Sequence, residues 1–121
     1  MAQPRPCRPV NAGDIVEVDF GFPVGSEAGF RRPGIVVTAD ALLLLRPTTV
    51  FVVPLTSTRR RFPSHVEVEA DLTNQLRVTS WAPVEQLRAV AVERCGPPTG
   101  NVGQAVIHQI LDILSMITGM P

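Results

Sequence analysis

The groups in this chain that could do chemistry are arginines and hydroxyls set close together. Arg31 and Arg32 form one basic cluster, Arg59, Arg60 and Arg61 form a second, and Thr56-Ser57-Thr58 runs directly into the triple. A guanidinium presents a planar fork of charge to phosphoryl oxygens, and hydroxyls donate to the same oxygens. No base stands beside these hydroxyls to make one a nucleophile, but as donors to a phosphate they need none. Each feature also has a plainer reading, since charge runs commonly form solvated faces and hydroxyls after a strand commonly cap turns. Both arginine clusters flank predicted strands, so the sharper reading sets them around one cleft.

Other catalytic machinery is missing from the sequence. Acid/base catalysis by paired histidines would need His65 and His108 to meet. His108 lies beside an apolar helical stripe and His65 leads an alternating strand, so each reads as structural. Cys7 and Cys95 are far apart, with no C-x-x-C or Cys/His spacing that would hold zinc. Nothing resembles a Gly-rich phosphate loop, a paired-histidine zinc site or a G-x-S-x-G turn. No metal and no cofactor are expected.

The elements that must position the arginines belong to a chain of 121 residues, 45% hydrophobic and 18% charged, which suits one globular domain. Eleven basic residues, all arginine, balance eleven acidic ones, so a phosphate-binding site has to be local. Pro4, Pro6 and Pro9 make residues 1–12 a Pro-rich flexible tail and leave 13–121 as the domain. Residues 1–8 lack an apolar core of signal-peptide length, and His108, Gln109 and Asp112 interrupt the C-terminal apolar stretch. Neither export nor membrane insertion is expected, which places the protein in the cytoplasm.

Residues 14–20 alternate, with Val16, Val18 and Phe20 on one face and Glu17 and Asp19 on the other, the period of a half-buried strand. Residues 21–32 carry glycines and a proline and are too long for a tight hairpin. Short β-like runs follow at 35–38, 49–55, 65–70, 78–82 and 87–92, making about six strands. The Gly96-Pro97-Pro98-Thr99-Gly100 cluster reads as the end of the sheet, and Asn101 with Gln104 as a capping-box-like helix start. Ile107, Ile110, Leu111, Leu114 and Ile117 then form an apolar stripe at helical spacing. Leu42, Leu43, Leu44 and Leu45 are too short a run for periodicity to choose among strand, core-facing loop and partner surface, with burial the favoured expectation. The fold class is mainly β, a β-rich α+β arrangement: a small curled antiparallel sheet or open barrel covered by a C-terminal amphipathic helix.

The order of these pieces resembles the MazF/PemK family. Gly13-Asp14 opens a strand, followed by Val18-Asp19-Phe20, Gly25-Ser26-Glu27 and Arg32-Pro33. Val53-Pro54-Leu55-Thr56-Ser57 is similar to that family's third-strand ending, Pro63-Ser64-His65-Val66 to the start of its next strand, and Glu85-Gln86-Leu87-Arg88 to its late E-Q-I-R signature. No single piece is specific, whereas their order over nearly the whole chain is. Ala12 stands where relatives often carry a basic residue, residues 40–47 lack the family's Asn-containing loop, and the arginine triple is richer in charge than usual. A cleavage sequence is therefore not inherited from relatives.

The resemblance implies an SH3-like small barrel, dimeric, acting as a toxin endoribonuclease restrained by a cognate MazE-like antitoxin. It implies Arg32 and Thr56 as catalytic positions, with metal-independent cleavage of single-stranded RNA, messenger RNA first, through a 2′,3′-cyclic phosphate. Glu27 is expected to orient the nucleophile or contact a base, and Phe30, Arg31, Ser57, Arg59, Arg60, Arg61 and Gln86 to contact RNA. The rival from another class is a same-fold toxin that poisons a protein such as DNA gyrase without ribonuclease activity, and a third is a non-enzymatic barrel module. Neither rival needs the Arg32 and Thr56 pair.

Overall fold

The computed structural model describes residues 10–119. Seven strands form among them: β1 (Asp14–Asp19), β2 (Arg31–Val36), β3 (Thr49–Pro54), β4 (His65–Val68), β5 (Ser80–Pro83), β6 (Arg88–Ala91) and β7 (Cys95–Asn101). Helix α1 (Asp40–Leu43) is a single turn, α2 (Gln104–Ile117) is the long terminal helix, and 3-10 turns occupy Val84–Gln86 and Val92–Arg94. Five strands pair antiparallel in the order β6-β3-β2-β1-β7, and β4 and β5 pair separately. Just beyond β3, Thr56 exchanges two backbone hydrogen bonds with Trp81 of β5, at 2.9 and 2.8 Å, which ties the small sheet to the large one.

The large sheet has to curl. Its edge strands β6 and β7 are joined by only Val92–Arg94. Four extended steps reach about 14 Å, whereas a flat five-stranded sheet would hold its edges about 19 Å apart. Strand alternation then divides the apolar residues between two sides. Ile15, Ile35, Val53 and Leu55 pack with β4, β5 and the buried Ile107 and Ile110 of α2. Val16, Val18, Phe20, Val36, Val50, Val52 and Val90 fill the other side, closed partly by Val92 and Cys95 from the edge-to-edge crossing.

Several sequence expectations need correction. The Gly-Pro-Pro-Thr-Gly cluster lies inside β7 and does not end the sheet. It is an edge strand paired with β1 alone, and its register shifts twice, between Ile15 and Val16 and between Val16 and Val18. Prolines are tolerated at such an edge because missing donors there break no ladder. Gly100 is required in it, since a Cβ would stand 2.2 Å from the Asn74 carbonyl oxygen. Asn101 is not a helix cap: α2 has Gly103 before it and no side-chain cap, while Asn101 donates to the Ala12 carbonyl and to Asp14. The α2 stripe includes half-buried Val106 and Ile113 and leaves Leu111 and Ile117 exposed.

The leucine run is mostly exposed: Leu42 is 54%, Leu44 83% and Leu45 76% accessible, with Leu43 alone packed inward. Its backbone forms α1 and the following turn rather than a strand or core-facing loop. Most of the tail, residues 1–9 with Cys7, lies outside the described residues. Val10 packs on the core, and the Ala12 N–H donates to Asp40 at 2.8 Å.

Candidate functional site

Strand register brings Arg32 and Thr56 to the same end of the β2–β3 ladder. In the β2–β3 ladder Gly34 lies opposite Pro54 and Ile35 opposite Val53, and the Leu55 N–H donates to the Pro33 carbonyl at 2.8 Å. Carried one step past these pairs, the same spacing aligns Arg32 with Thr56, whose backbone bonds to Trp81. Pro33 interrupts the ladder at this point: its carbonyl accepts from Leu55 but it has no N–H to return, and β3 ends at Pro54. Val18 lies opposite Arg32 on β1, and Val52 lies opposite Arg88 on β6. Residues opposite one another share a face. Arg32, Thr56 and Arg88 therefore all face the side of Val16, Val18 and Phe20.

Each of these side chains is restrained. Arg32 is half-buried and its Nε–H donates to the Gly29 carbonyl at 3.1 Å, which leaves the terminal nitrogens of the fork for a ligand. Thr56 is half-buried, and its Oγ1 accepts from the Thr58 N–H at 3.1 Å. The turn-capping reading of Thr56 is thus realised, and the bond uses an oxygen lone pair while sparing the hydroxyl proton. The Arg88 guanidinium lies 5.6 Å from the centroid of the buried Phe20 ring and donates to the Phe20 carbonyl at 3.4 Å. Gly34 lets that ring close over the strand, since a Cβ there would meet Val18 at 3.3 Å and Phe20 at 3.5 Å.

The loop from β1 to β2, residues 20–30, forms one wall. Glu27 is exposed at its tip, and one carboxylate oxygen accepts from the Val24 N–H at 2.9 Å, so it stabilises its own turn. Phe30 adopts φ 61, uncommon for a side-chain-bearing residue, and is held there by its N–H to the Gly21 carbonyl. Its ring meets that of Phe22 edge-on, with centroids 5.7 Å apart and Phe22 88% exposed. Gln86 reaches across to this loop, where its Oε1 accepts from the Ala28 N–H and its Nε2 donates to the Ser26 carbonyl at 3.1 Å. Between residues 26–28 and 85–88 lies a cleft of about 540 Å³.

The loop after Thr56 carries Ser57, Arg59, Arg60 and Arg61, all exposed. Its exit is fastened by Glu85, which accepts from the Ser64 hydroxyl at 2.7 Å and meets His65 Nε2 at 3.2 Å. Partial burial pushes the Glu85 carboxyl up, but hydrogen bonds from Ser64, from its own backbone N–H and from His65 outweigh it and hold the group below the usual value. The His65 side chain is 4% exposed, packs edge-on to Phe62 and has no partner for Nδ1 among the described residues. His65 is thus a packed, fastening residue, while His108 is exposed on α2.

Arg31 sits exposed at the start of β2, beside Arg32 but on the alternate face. Sequence reasoning missed Arg88 and Glu85. Both stand in the E-Q-L-R run that carries part of the family resemblance, but only strand pairing gives Arg88 its face. Burial and the nearby Glu93 raise the Cys95 thiol, which disfavours the thiolate. Among the described residues no three His, Cys, Asp or Glu side chains converge to hold a metal, and no helix is long and apolar enough to cross a membrane.

Comparison with known proteins bears on the family and the fold. Residues 11–118 match the family model described as PemK-like, MazF-like toxin of type II toxin-antitoxin system. The chain is 35% identical over 109 residues to Endoribonuclease MazF9 of Mycobacterium tuberculosis, covering 86% of this chain and 92% of that one. A crystal structure of MazF from Deinococcus radiodurans superposes with a TM-score of 0.80 at 23% identity, covering 93% of this chain and 99% of that one. An endoribonuclease in complex with its cognate antitoxin from a mycobacterial species gives a TM-score of 0.73 at 21% identity, over 93% and 97%. At these identities the two structures speak for the fold, a mainly antiparallel sheet with a C-terminal helix.

Proposed function

The chain belongs to the PemK-like, MazF-like toxins of type II toxin-antitoxin systems, and from that premise we propose that it is a sequence-specific, metal-independent endoribonuclease acting on single-stranded RNA, messenger RNA first, in the cytoplasm. The observation that carries this reading is the register that aligns Arg32 with Thr56 on one face, at the mouths of two exposed loops. In the reaction the ribose 2′-hydroxyl attacks the adjacent phosphorus and the bond to the 5′-oxygen breaks. The products are a 2′,3′-cyclic phosphate and a 5′-hydroxyl. Arg32 and Thr56 act on the phosphoryl oxygens, Arg32 by its fork and Thr56 by its hydroxyl proton. A guanidinium keeps its proton in proteins, so Arg32 stabilises charge and does not serve as the base. Glu27 orients the 2′-hydroxyl or contacts a base.

Phe30, Ser57 and the arginine triple form the walls that hold RNA, and Arg31 adds charge at the entry to β2 beside them. Six of the eleven basic residues, Arg31, Arg32, Arg59, Arg60, Arg61 and Arg88, belong to these loops and strands, which supplies local positive charge in a chain of zero net charge. The domain spans residues 13–121 and works as a homodimer, for which exposed Leu42, Leu44 and Leu45 offer apolar surface. A MazE-like antitoxin lays an acidic, apolar extended segment over the same groove, with an affinity that falls with salt.

The test is to treat total RNA with purified protein, with and without EDTA, and to sequence the fragment ends. Cleavage in EDTA at a recurring short sequence, with 5′-hydroxyl ends, is the expected result. Activity that vanishes in EDTA and returns with magnesium would overturn the metal-free mechanism. Intact RNA with inhibited gyrase would move the protein to the protein-binding class.

A further inference from the structure

One three-residue turn fastens both loops of the site. In the turn Val84–Gln86, the Gln86 amide is committed at both ends to the β1–β2 loop, accepting from the Ala28 N–H and donating to the Ser26 carbonyl. The preceding residue faces the other way. Glu85 accepts from Ser64 and meets His65, and the Val84 N–H donates to the Ser64 carbonyl at 3.1 Å, so these bonds hold the exit of the loop that begins at Thr56. Because the buried His65 Nδ1 has no partner among the described residues, the tautomer that leaves it unprotonated is the least costly, and Nε2 then donates to Glu85. The turn itself is anchored by Val84, 1% exposed in the core.

The Gln86 arm leads to the arginine in two bonds. Gln86 holds the N–H of buried Ala28, and the next residue, Gly29, supplies the carbonyl that accepts from Arg32 Nε. Removing the amide strands a buried backbone donor and frees the peptide that aims the guanidinium. We propose that Glu85 and Gln86 are positioning residues, the two arms of a clamp that sets the spacing between the loop fixing Arg32 and the loop leaving Thr56. This rests on the endoribonuclease reading above, and it gives Gln86 a task other than the RNA contact expected from sequence.

The experiment compares wild type, Gln86→Ala and Gln86→Glu in the full chain. It reads amide exchange at Ala28 by NMR, single-turnover cleavage, and affinity for an uncleavable RNA with a 2′-deoxy position at the scissile site. Gln86→Ala should speed Ala28 exchange and slow cleavage, each about tenfold, as the loss of one buried hydrogen bond implies. Affinity should change by less than about threefold, because no phosphate contact is removed. Gln86→Glu keeps the acceptor for Ala28 and should recover most of the exchange protection and part of the rate. Unchanged Ala28 exchange with weakened RNA affinity would make Gln86 a direct contact and overturn the proposal. Faster exchange with an unchanged cleavage rate would overturn it too. Failure of the wild type to cut RNA would remove the endoribonuclease reading and the positioning role with it, whereas the exchange arm would still report whether the clamp exists.

Discussion

Replacing Arg32 by lysine keeps the positive charge and removes the fork, so it separates geometry from field. In the structure the Nε–H is committed to the Gly29 carbonyl at 3.1 Å, and only the terminal nitrogens remain for phosphate. Lysine has no Nε donor and no second parallel N–H. The first loss is one hydrogen bond to a charged group, about 1.5–3 kcal/mol, spent on loop geometry. The second is one preorganised donor to the transition state, worth about 10²–10³ in rate. Retained charge offsets part of this, so single-turnover cleavage should fall about 10²-fold in Arg32→Lys and about 10³-fold or more in Arg32→Ala. The assay is a DNA oligonucleotide carrying one ribonucleotide between a fluorophore and a quencher, read in excess enzyme, with far-UV circular dichroism to confirm folding. If folded Arg32→Lys cuts within about threefold of wild type, well short of the cost of one lost donor, bidentate positioning is not what Arg32 supplies.

Gly100→Ala would place a Cβ 2.2 Å from the backbone oxygen of buried Asn74. It should destabilise the fold by about 2 kcal/mol or more, seen as a lowered urea midpoint; an unchanged midpoint would mean that β7 does not press on Asn74. For Glu85 the folded-state value lies below the unfolded one, so its stabilisation is present above the ordinary carboxylate value and is lost as pH falls through the folded value. The stability gap between wild type and Glu85→Gln should therefore close as pH falls into acid, whereas a gap that widens in acid would reverse the sign. Wild type should sediment as a dimer at micromolar concentration, and Leu44→Asp with Leu45→Asp should sediment as a monomer. Two species of the same mass would show that this patch is not the interface.

Much of the site's parts list was readable in the sequence, but its assembly was not. The strand over residues 14–20 and the helix over 104–117 announce themselves because one apolar face repeats at a period of 2 or near 3.6, a property of neighbours in the chain. Thr56 was readable both as a turn cap and as a phosphate donor, and the structure realises the cap without consuming the proton. β7 was not readable as a strand, because Gly-Pro-Pro-Thr-Gly has turn chemistry, and only an edge position with a broken register makes it extend. The exposure of Leu42, Leu44 and Leu45 is not legible in the sequence, since a run of four carries no period from which to read a buried side.

By itself the sequence determined the local matters: the β-rich composition, the long loop before Arg31, the clustering of positive charge against a balanced total, and the order of short motifs that marks the family. Tertiary structure alone decided that Arg32 aligns with Thr56, that Arg88 lies over Phe20, and that Gln86 is committed to Ala28, 58 residues away in the chain. The reason is physical. Periodicity records which side of an element is apolar, whereas register and cross-loop hydrogen bonds depend on which backbone partners remain once the curled sheet closes, and no spacing along the chain encodes that choice.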